Sequence, residues 1–317
     1  MSLTTTSAGN QSPIKRAGLP TEYANRPRKF GFSFGFKMVL PTIIALIAVV
    51  GFPVSYAVYV AFHEYDLTEG GIGEMIRLEN FSAVLNMDVF AQAVRNTVVL
   101  TVSVVVLELV VAFGLALLLN QDGLRFRNLY LGILLIPLLV SPIAVGLIWR
   151  LLLHPDLGAV NWLMGQIGLA GQEWLSNRNT AMPAVVGVDA WHETSLMLIV
   201  LLAGLTSLPK DPVEAATVDG ANKWQIFWSI TVPLMMPIIL IAALIRMISA
   251  MKTYDLIYIL TSGGPGGATE TISFRIWKVG FTNLDMGRAA AASILLLIAI
   301  MALTIVLVRI IRSDAYQ

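Results

Sequence analysis

The sequence contains no cysteine, and this absence excludes disulfide bonds, thiol nucleophiles and cysteine-ligated metal sites. Charge is also scarce, since only 13% of the 317 residues are charged, against about a quarter in a typical soluble domain. The net charge is +1, and the basic residues do not gather into a stripe with aromatics, so the signature of a nucleic-acid-binding protein is missing. With 56% hydrophobic residues, the chain is expected to lie in a lipid bilayer.

Catalytic and nucleotide-binding motifs are incomplete at the two places that suggest them. His192-Glu193 is followed by Leu196 where the second histidine of a zinc-binding helix would fall. The glycine-rich run 263–267 lacks the Gly-Lys-Ser/Thr that completes a phosphate-binding loop. We therefore predict no catalytic residue, no metal site and no cofactor in this chain.

Six apolar stretches are long enough to cross a bilayer, whose hydrocarbon core of about 30 Å requires about 20 helical residues. They lie at approximately 38–62, 94–119, 128–152, 182–205, 233–260 and 287–311. Prolines inside these stretches remove backbone donors and predict kinked, packed helices. The prolines concerned are Pro41, Pro53, Pro137, Pro142 and Pro237. The predicted fold is an all-α integral membrane protein with about six transmembrane helices.

The predicted domain organisation is a transmembrane domain between two tails. Residues 1–37 are polar and basic and are expected to form a flexible cytoplasmic tail. The next stretch is too long for a signal-peptide core, so we expect it to be the retained first span of a transmembrane domain at 38–312. Residues 313–317 are predicted to form a short cytoplasmic tail.

Lysine and arginine in short loops predict the orientation, because cytoplasmic loops contain the excess of basic residues. Besides the N-terminal tail, the basic residues of alternate loops are Arg125, Arg127, Lys210, Lys223, Arg309 and Arg312. The complementary loop 63–93 is acidic, and 153–181 has Arg178 as its single basic residue. Arg275 and Lys278 in the third outer loop weaken this bias without reversing it. Both termini are therefore expected on the cytoplasmic side.

The predicted cytoplasmic loop 206–232, between the fourth and fifth spans, has the pattern of two short helices. Asp211 is placed as an N-cap, Pro212 as the first helical residue, and Glu214 at the third position of a capping box. Gly220 supplies the left-handed residue that ends this helix.

A second helical turn is predicted directly after this glycine. Asn222 and Gln225 repeat the cap pattern and predict a turn that runs to Ile230, and Pro233 then begins the fifth span. The residue pattern leaves two interpretations open, a helical plug that enters a partner protein and an amphipathic connector on the bilayer surface.

The same loop resembles the signature of permease subunits in binding-protein-dependent ABC importers. The matching residues are Glu214-Ala215-Ala216, then Gly220, then Ile230 to Pro233, with Val232 in place of the usual leucine. In that family the loop is the coupling helix, which sits in a cleft of the cytoplasmic ATPase. The resemblance implies this ATPase-coupling role for Glu214, Ala215, Ala216, Asp219 and Gly220.

Further segments resemble the carbohydrate-uptake branch of that family, specifically the maltose-type first permease. They are Asn96-Thr97, the stretch 125–137, Trp149, Gly158 with Asn161, 189–191, 261–265 and 269–271. The resemblance implies a type I importer transmembrane domain in the bacterial inner membrane, translocating a sugar or sugar-like solute by alternating access. It also implies a second permease, a dimer of ABC ATPases that binds ATP and magnesium, and a periplasmic solute-binding protein. Loop 63–93 is too short to hold the large periplasmic domain of the maltose permease.

Ionisable residues inside the spans are costly in lipid and are expected to face a cavity or a partner. They are Glu108, Asp189, Glu193, Arg246, Lys252 and Asp255. Glu108 stands alone in a run of valine and leucine, which favours a hydrogen bond between helices over contact with solute. Arg246 and Lys252 leave an anionic sugar derivative open as the solute.

A candidate substrate path is predicted from aromatic and polar residues, because aromatic rings stack on sugar faces and carboxylates and amides accept or donate hydroxyl hydrogen bonds. Tyr254 and Tyr258 are four residues apart late in the predicted fifth span and share a helix face. The candidates are Asn96, Trp191, Glu193, Lys252, Tyr254, Asp255 and Tyr258. For Tyr258, and for Trp149 nearby in the predicted path, an interfacial aromatic belt is the alternative.

Three other classes of membrane protein remain as alternatives. An ion-driven secondary transporter predicts inverted repeats, of which none is clear in the sequence. An integral-membrane enzyme requires convergent catalytic groups, which are missing. A receptor-like module that senses a loaded binding protein is compatible with the coupling loop. Transport measurements separate this last alternative from an importer.

Overall fold

The computed structural model describes residues 34–68, 70–121 and 123–314, and side chains between residues 36 and 310. Within these ranges the chain is helical, with isolated β-bridges that join His63 to Met75 and Asp66 to Asp285. Most of the predicted N-terminal tail and residues 315–317 lie outside the described residues. The chain divides into two units, Met1–Pro53 and Val54–Gln317.

Fourteen α-helices, α1 to α14, are found in the described residues. In chain order they are Phe34–Leu46, Phe52–Ala61, Glu79–Leu85, Asp88–Leu119, Arg127–Leu135, Pro142–Leu152, Ala159–Gln166, Ala181–Ser207, Asp211–Val218, Lys223–Ile226, Val232–Met251, Asp255–Leu260, Ile272–Trp277 and Met286–Asp314. In the part of the chain that the structure describes, five continuous helical stretches are long and apolar enough to span a membrane, and a bent pair raises the number to six. The prediction of an all-α protein with about six transmembrane helices is confirmed.

The third predicted span, 128–152, is a bent pair of helices rather than one straight helix. Helix α5 and the 3₁₀ turn Pro137–Leu139 meet α6 at an angle of 96°. Ser141 caps α6 by accepting a hydrogen bond from the Ala144 amide at 3.3 Å, and Pro142 occupies the first turn. The two prolines thus end one helix and begin another, which is a stronger effect than the predicted kink.

The fifth predicted span, 233–260, is wrong at both ends. A continuous helix runs from Lys223 to Met251, so Pro233 lies inside it and does not begin it. The wide π-helical turn Phe227–Thr231 precedes the proline and accommodates a residue that has no backbone N–H. After Met251 the chain leaves the helix and resumes at α12, which makes the last third of the predicted span a separate element.

The core of the second unit lies where α4 and α8 pack along each other, with α11 against both. Small residues of α4, Ala112 and Ala116, are fully buried against Leu198 and Leu201 of α8. On α8, Gly204 permits the close approach of α11, because a Cβ at this position would lie 2.8 Å from a methyl carbon of Ile238. This packing fixes the relative positions of the three helices that form the candidate site.

Candidate functional site

The predicted coupling loop contains helix α9, which begins at Asp211 and ends at Val218. The predicted N-cap at Asp211 and its capping box are wrong, because the cap position is occupied by Lys210, whose side chain makes no capping hydrogen bond. The carbonyl of Lys210 accepts the amides of Val213 and Glu214, each at 3.0 Å, and so starts the helix one residue earlier. Gly220 has φ +84°, which confirms the predicted left-handed turn.

The second predicted start of a helix is confirmed. The side chain of Asn222 accepts the Gln225 amide at 2.9 Å, and the side chain of Gln225 accepts the Asn222 amide at 2.9 Å. The helix that begins here continues without interruption to Met251. Phe227, five residues after the cap, lies 5.8 Å from the ring of Phe113 on α4 and connects this end of the helix to the core.

The five predicted coupling residues lie on a projecting surface. Glu214, Ala215, Asp219 and Gly220 are exposed and Ala216 is half-buried. Val218, between them, is 88% exposed. A cavity of about 540 Å³, lined in part by Glu214, separates α9 from the ends of α4 and α8. The loop therefore presents an open face at one end of the helix bundle.

A buried ion-pair network joins the three core helices. Arg246 of α11 donates through Nε to Glu108 Oε2 of α4 at 2.6 Å and through Nη2 to Asp189 Oδ2 of α8. The side chains of Glu108 and Arg246 are 0% and 3% exposed. The structure thus confirms the predicted interhelical role of Glu108. The pairing of Glu108 and Asp189 with Arg246 was not predicted, although two acidic residues and one basic residue within apolar runs are a signal of such pairing.

Next to this network lies a cavity of about 180 Å³ lined by polar groups. Its lining residues are Pro142, Asp189, His192, Glu193, Ser249, Lys252, Thr253, Tyr254, Asp255 and Leu256. His192 Nδ1 lies 3.1 Å from Glu193 Oε1, and His192 Nε2 lies 3.0 Å from the Val140 carbonyl oxygen. Each ring nitrogen of His192 faces an oxygen, and Nε2 must carry a proton to donate to the Val140 carbonyl. The contact between Nδ1 and Glu193 is then a hydrogen bond only if Nδ1 is also protonated or the Glu193 carboxylate carries a proton.

Aromatic rings flank this cavity. Tyr254 stacks on Tyr258 with ring centroids 5.6 Å apart, and Trp277 of α13 contacts both tyrosines at 5.5 Å and 4.9 Å. The predicted face shared by the two tyrosines is confirmed, but Tyr254 lies in the break after α11 and Tyr258 lies on α12. Trp277 and Phe274 were missed, because they join the cluster only through tertiary packing.

The structure collects four of the seven predicted path residues around one cavity: Glu193, Lys252, Tyr254 and Asp255. Tyr258 adjoins them through the aromatic stack. Trp191 instead contacts Trp149 edge-on at 5.5 Å and lines a separate, mostly apolar cavity of about 400 Å³.

Asn96 lies elsewhere, at the glycine-rich loop. Its amide nitrogen donates to the carbonyls of Gly267 at 2.8 Å and Glu270 at 3.0 Å. It therefore anchors this loop to α4. Among the described residues no group of three or more histidine, aspartate and glutamate side chains is arranged to hold a metal ion.

The family described as "Binding-protein-dependent transport system inner membrane component" matches residues 109–313, a region that includes α8, the coupling loop and the polar cavity. The chain belongs to this family. The permease is 35% identical, over 87% of its length and 89% of the relative, to the sulfoquinovosyl glycerol transport system permease protein SmoG of Agrobacterium fabrum. It is 34% identical, over 87% and 92%, to the trehalose/maltose transport system permease protein MalF of Thermococcus litoralis.

A solved structure shows the same fold. The permease superposes with a TM-score of 0.76 and 25% identity on a chain of a bacterial ABC transporter involved in the import of the acidic polysaccharide alginate. The match covers 88% of the permease and 94% of that chain. The permease is thus a multi-pass membrane protein with the transmembrane fold of type I ABC importers, and a transport subunit rather than an enzyme.

Proposed function

We propose that the permease translocates a sugar or sugar-like solute across the bacterial inner membrane by alternating access, driven by a separate ATPase through the loop around Glu214. Relatives named for sulfoquinovosyl glycerol and for trehalose and maltose support a carbohydrate solute. The polar cavity supports it too, because carboxylate, amine and hydroxyl groups beside stacked aromatic rings suit a polyhydroxylated ligand.

The proposed complex contains a second, similar permease, a dimer of cytoplasmic ABC ATPases and a periplasmic solute-binding protein. ATP and magnesium are bound by the ATPase, and the permease itself binds neither. The exposed face of α9, with its uncovered Val218, is the surface on which we place the ATPase. Both termini then lie in the cytoplasm, and the solute-binding protein docks at the opposite end of the bundle.

The observation on which this proposal depends is that both helices next to the coupling loop line the polar cavity. Glu193 is 14 residues before the end of α8 at Ser207, a distance of about 21 Å along the helix. On the other side of the loop, the continuous helix from Lys223 to Met251 contains Arg246 and Ser249. A displacement of α9 by the ATPase is therefore applied to two walls of the cavity together.

Alternating access also requires that solute and nucleotide bind differently to the two states, because a ligand shifts an equilibrium only by its differential affinity. On either side of the loop the chain continues into one uninterrupted helix, which can transmit a displacement of the loop to the cavity. Residues 252–254 lie in the break between α11 and α12, so their spacing can change when α11 moves, and the affinity of the cavity for solute changes with it.

The test is ATP hydrolysis by the complex reconstituted in lipid with its companion subunits and a panel of sugar-loaded binding proteins. Glu214→Ala is expected to reduce the stimulation by the loaded binding protein about tenfold or more, because the charge offered to the ATPase is lost. Glu214→Asp keeps the carboxylate at this position and serves as the control, which should retain most of the stimulation. Hydrolysis that ignored both the binding protein and Glu214 would refute the proposed coupling.

A further inference from the structure

A second polar cavity lies at the end of α4 and α8 that is farthest from the coupling loop. Its volume is about 620 Å³, and it is lined by Arg95, Arg178 and Asn179 together with further amide and apolar side chains. Arg178 stands three residues before α8 begins, and Arg95 is in the second turn of α4. The family match begins at residue 109, so Arg95 precedes it and Arg178 lies within it.

The lining of this cavity has a net positive charge. No carboxylate lines it, and within the described residues neither arginine makes an ion pair or a side-chain hydrogen bond. The amides of Gln92 and Asn96 are occupied, since both donate to the Gly267 carbonyl, at 3.0 Å and 2.8 Å. The wall is thus held in place while the two exposed guanidinium groups remain available.

The two polar cavities lie in series along α8. Met182 lines the arginine cavity, and Asp189 and Glu193 line the inner cavity. Spacings of 7 and 11 residues place these three side chains on one face of the helix, about 10 to 16 Å apart along its axis. A solute that enters from the end opposite the coupling loop therefore meets the arginines first.

We propose that Arg95 and Arg178 bind the anionic group, a carboxylate, sulfonate or phosphate, of a sugar-derived solute at the entrance of the transport path. This inference rests on the proposed function and narrows its substrate class. Guanidinium groups bind such oxyanions through paired hydrogen bonds and attract them from solution. Arg246 does not serve this purpose, because Glu108 and Asp189 already neutralise it.

The natural absence of cysteine allows a direct probe of this cavity. In the reconstituted complex, Asn179→Cys introduces a single thiol into this chain, and its labelling is measured with a sulfonate-bearing methanethiosulfonate reagent and with the trimethylammonium counterpart. With both arginines present, the ratio of the anionic to the cationic labelling rate should be about tenfold higher than in an Arg95→Gln/Arg178→Gln background. The matched Arg95→Lys/Arg178→Lys background keeps the charge and should keep this preference.

Protection experiments then identify the ligand. At equal ionic strength, inorganic phosphate and glucose 6-phosphate should slow anionic labelling at least about threefold relative to chloride and glucose, and less in the lysine background. No reagent preference, or no protection by soluble anions, would overturn the proposal. Slowing only by phosphatidylglycerol in the vesicles, or only by unloaded binding protein, would overturn it in favour of a lipid or a protein contact. If the reagent preference or the protection is absent while Glu214-dependent ATP hydrolysis persists, the proposal about the arginines fails and the proposed function stands.

Discussion

The guanidinium of Arg246 lies between two carboxylates that belong to two other helices. Removing such a charge from water is costly, and the cost is offset only while both partners remain in place. Glu108 Oε1 has no hydrogen-bond partner among the described residues, so this network is not fully satisfied even when intact. We infer that the network specifies how α4, α8 and α11 fit together more than it adds net stability.

Loss of the central cation is therefore expected to be severe. Arg246→Met leaves two carboxylates buried without compensation and should lower the free energy of unfolding by about 3 to 5 kcal/mol. The matched control is Arg288→Met, which breaks the exposed pair with Asp285 and should cost about 1 kcal/mol or less. Thermal unfolding of the detergent-purified permease measures both. Equal effects of the two variants would contradict the assigned role.

Helix α8 combines packing contacts with the proposed transport and coupling sites along its length. Its first turn borders the arginine cavity, its middle lines the polar cavity, and its last turns pack against α11 before the predicted coupling loop. The two glycines Gly187 and Gly204 have different surroundings: nothing lies within 4 Å of a Cβ added to Gly187, whereas one added to Gly204 meets Ile238 and Met235.

This difference gives a matched pair of substitutions. Gly204→Ala should destabilise by about 1 to 3 kcal/mol, because the added methyl forces α8 and α11 apart. Gly187→Ala should be neutral or stabilising by up to about 1 kcal/mol, because alanine is the better helix former. Unfolding midpoints of the two variants, and of Gly204→Ala with Ile238→Ala as relief, are the measurement. If both alanine substitutions destabilise the protein equally, the cost does not come from the close contact between α8 and α11 at Gly204.

The sequence predicted elements better than it predicted how they end. Long apolar stretches and the Gly220 turn are local signals, and the structure confirms them. The size of the bend before Pro142 and the break after Met251 were not predicted, because hydropathy counts apolar residues and does not report a change in helix direction. The same limit applies to the site, since Trp277 reaches Tyr258 only through packing of α13.

At the scale of the whole molecule, the two polar cavities and the coupling loop lie along one continuous helix. The loop is at one end of α8, the arginine cavity is at the other, and the inner cavity lies between them. Because the loop also leads directly into the helix that holds Arg246, a displacement of the loop would act on both sides of the inner cavity. This arrangement is the physical basis of the proposed alternating access.

The most direct test uses a single thiol at Ser249, an exposed residue that lines the inner cavity. Membrane-impermeant reagents are applied to either side of the reconstituted complex with Ser249→Cys in the permease. We expect labelling from the ATPase side at rest, and from the opposite side when ATP and loaded binding protein are present. This switch should be lost with Glu214→Ala. Labelling from the same side in both states, or a switch that persists without Glu214, would contradict the account.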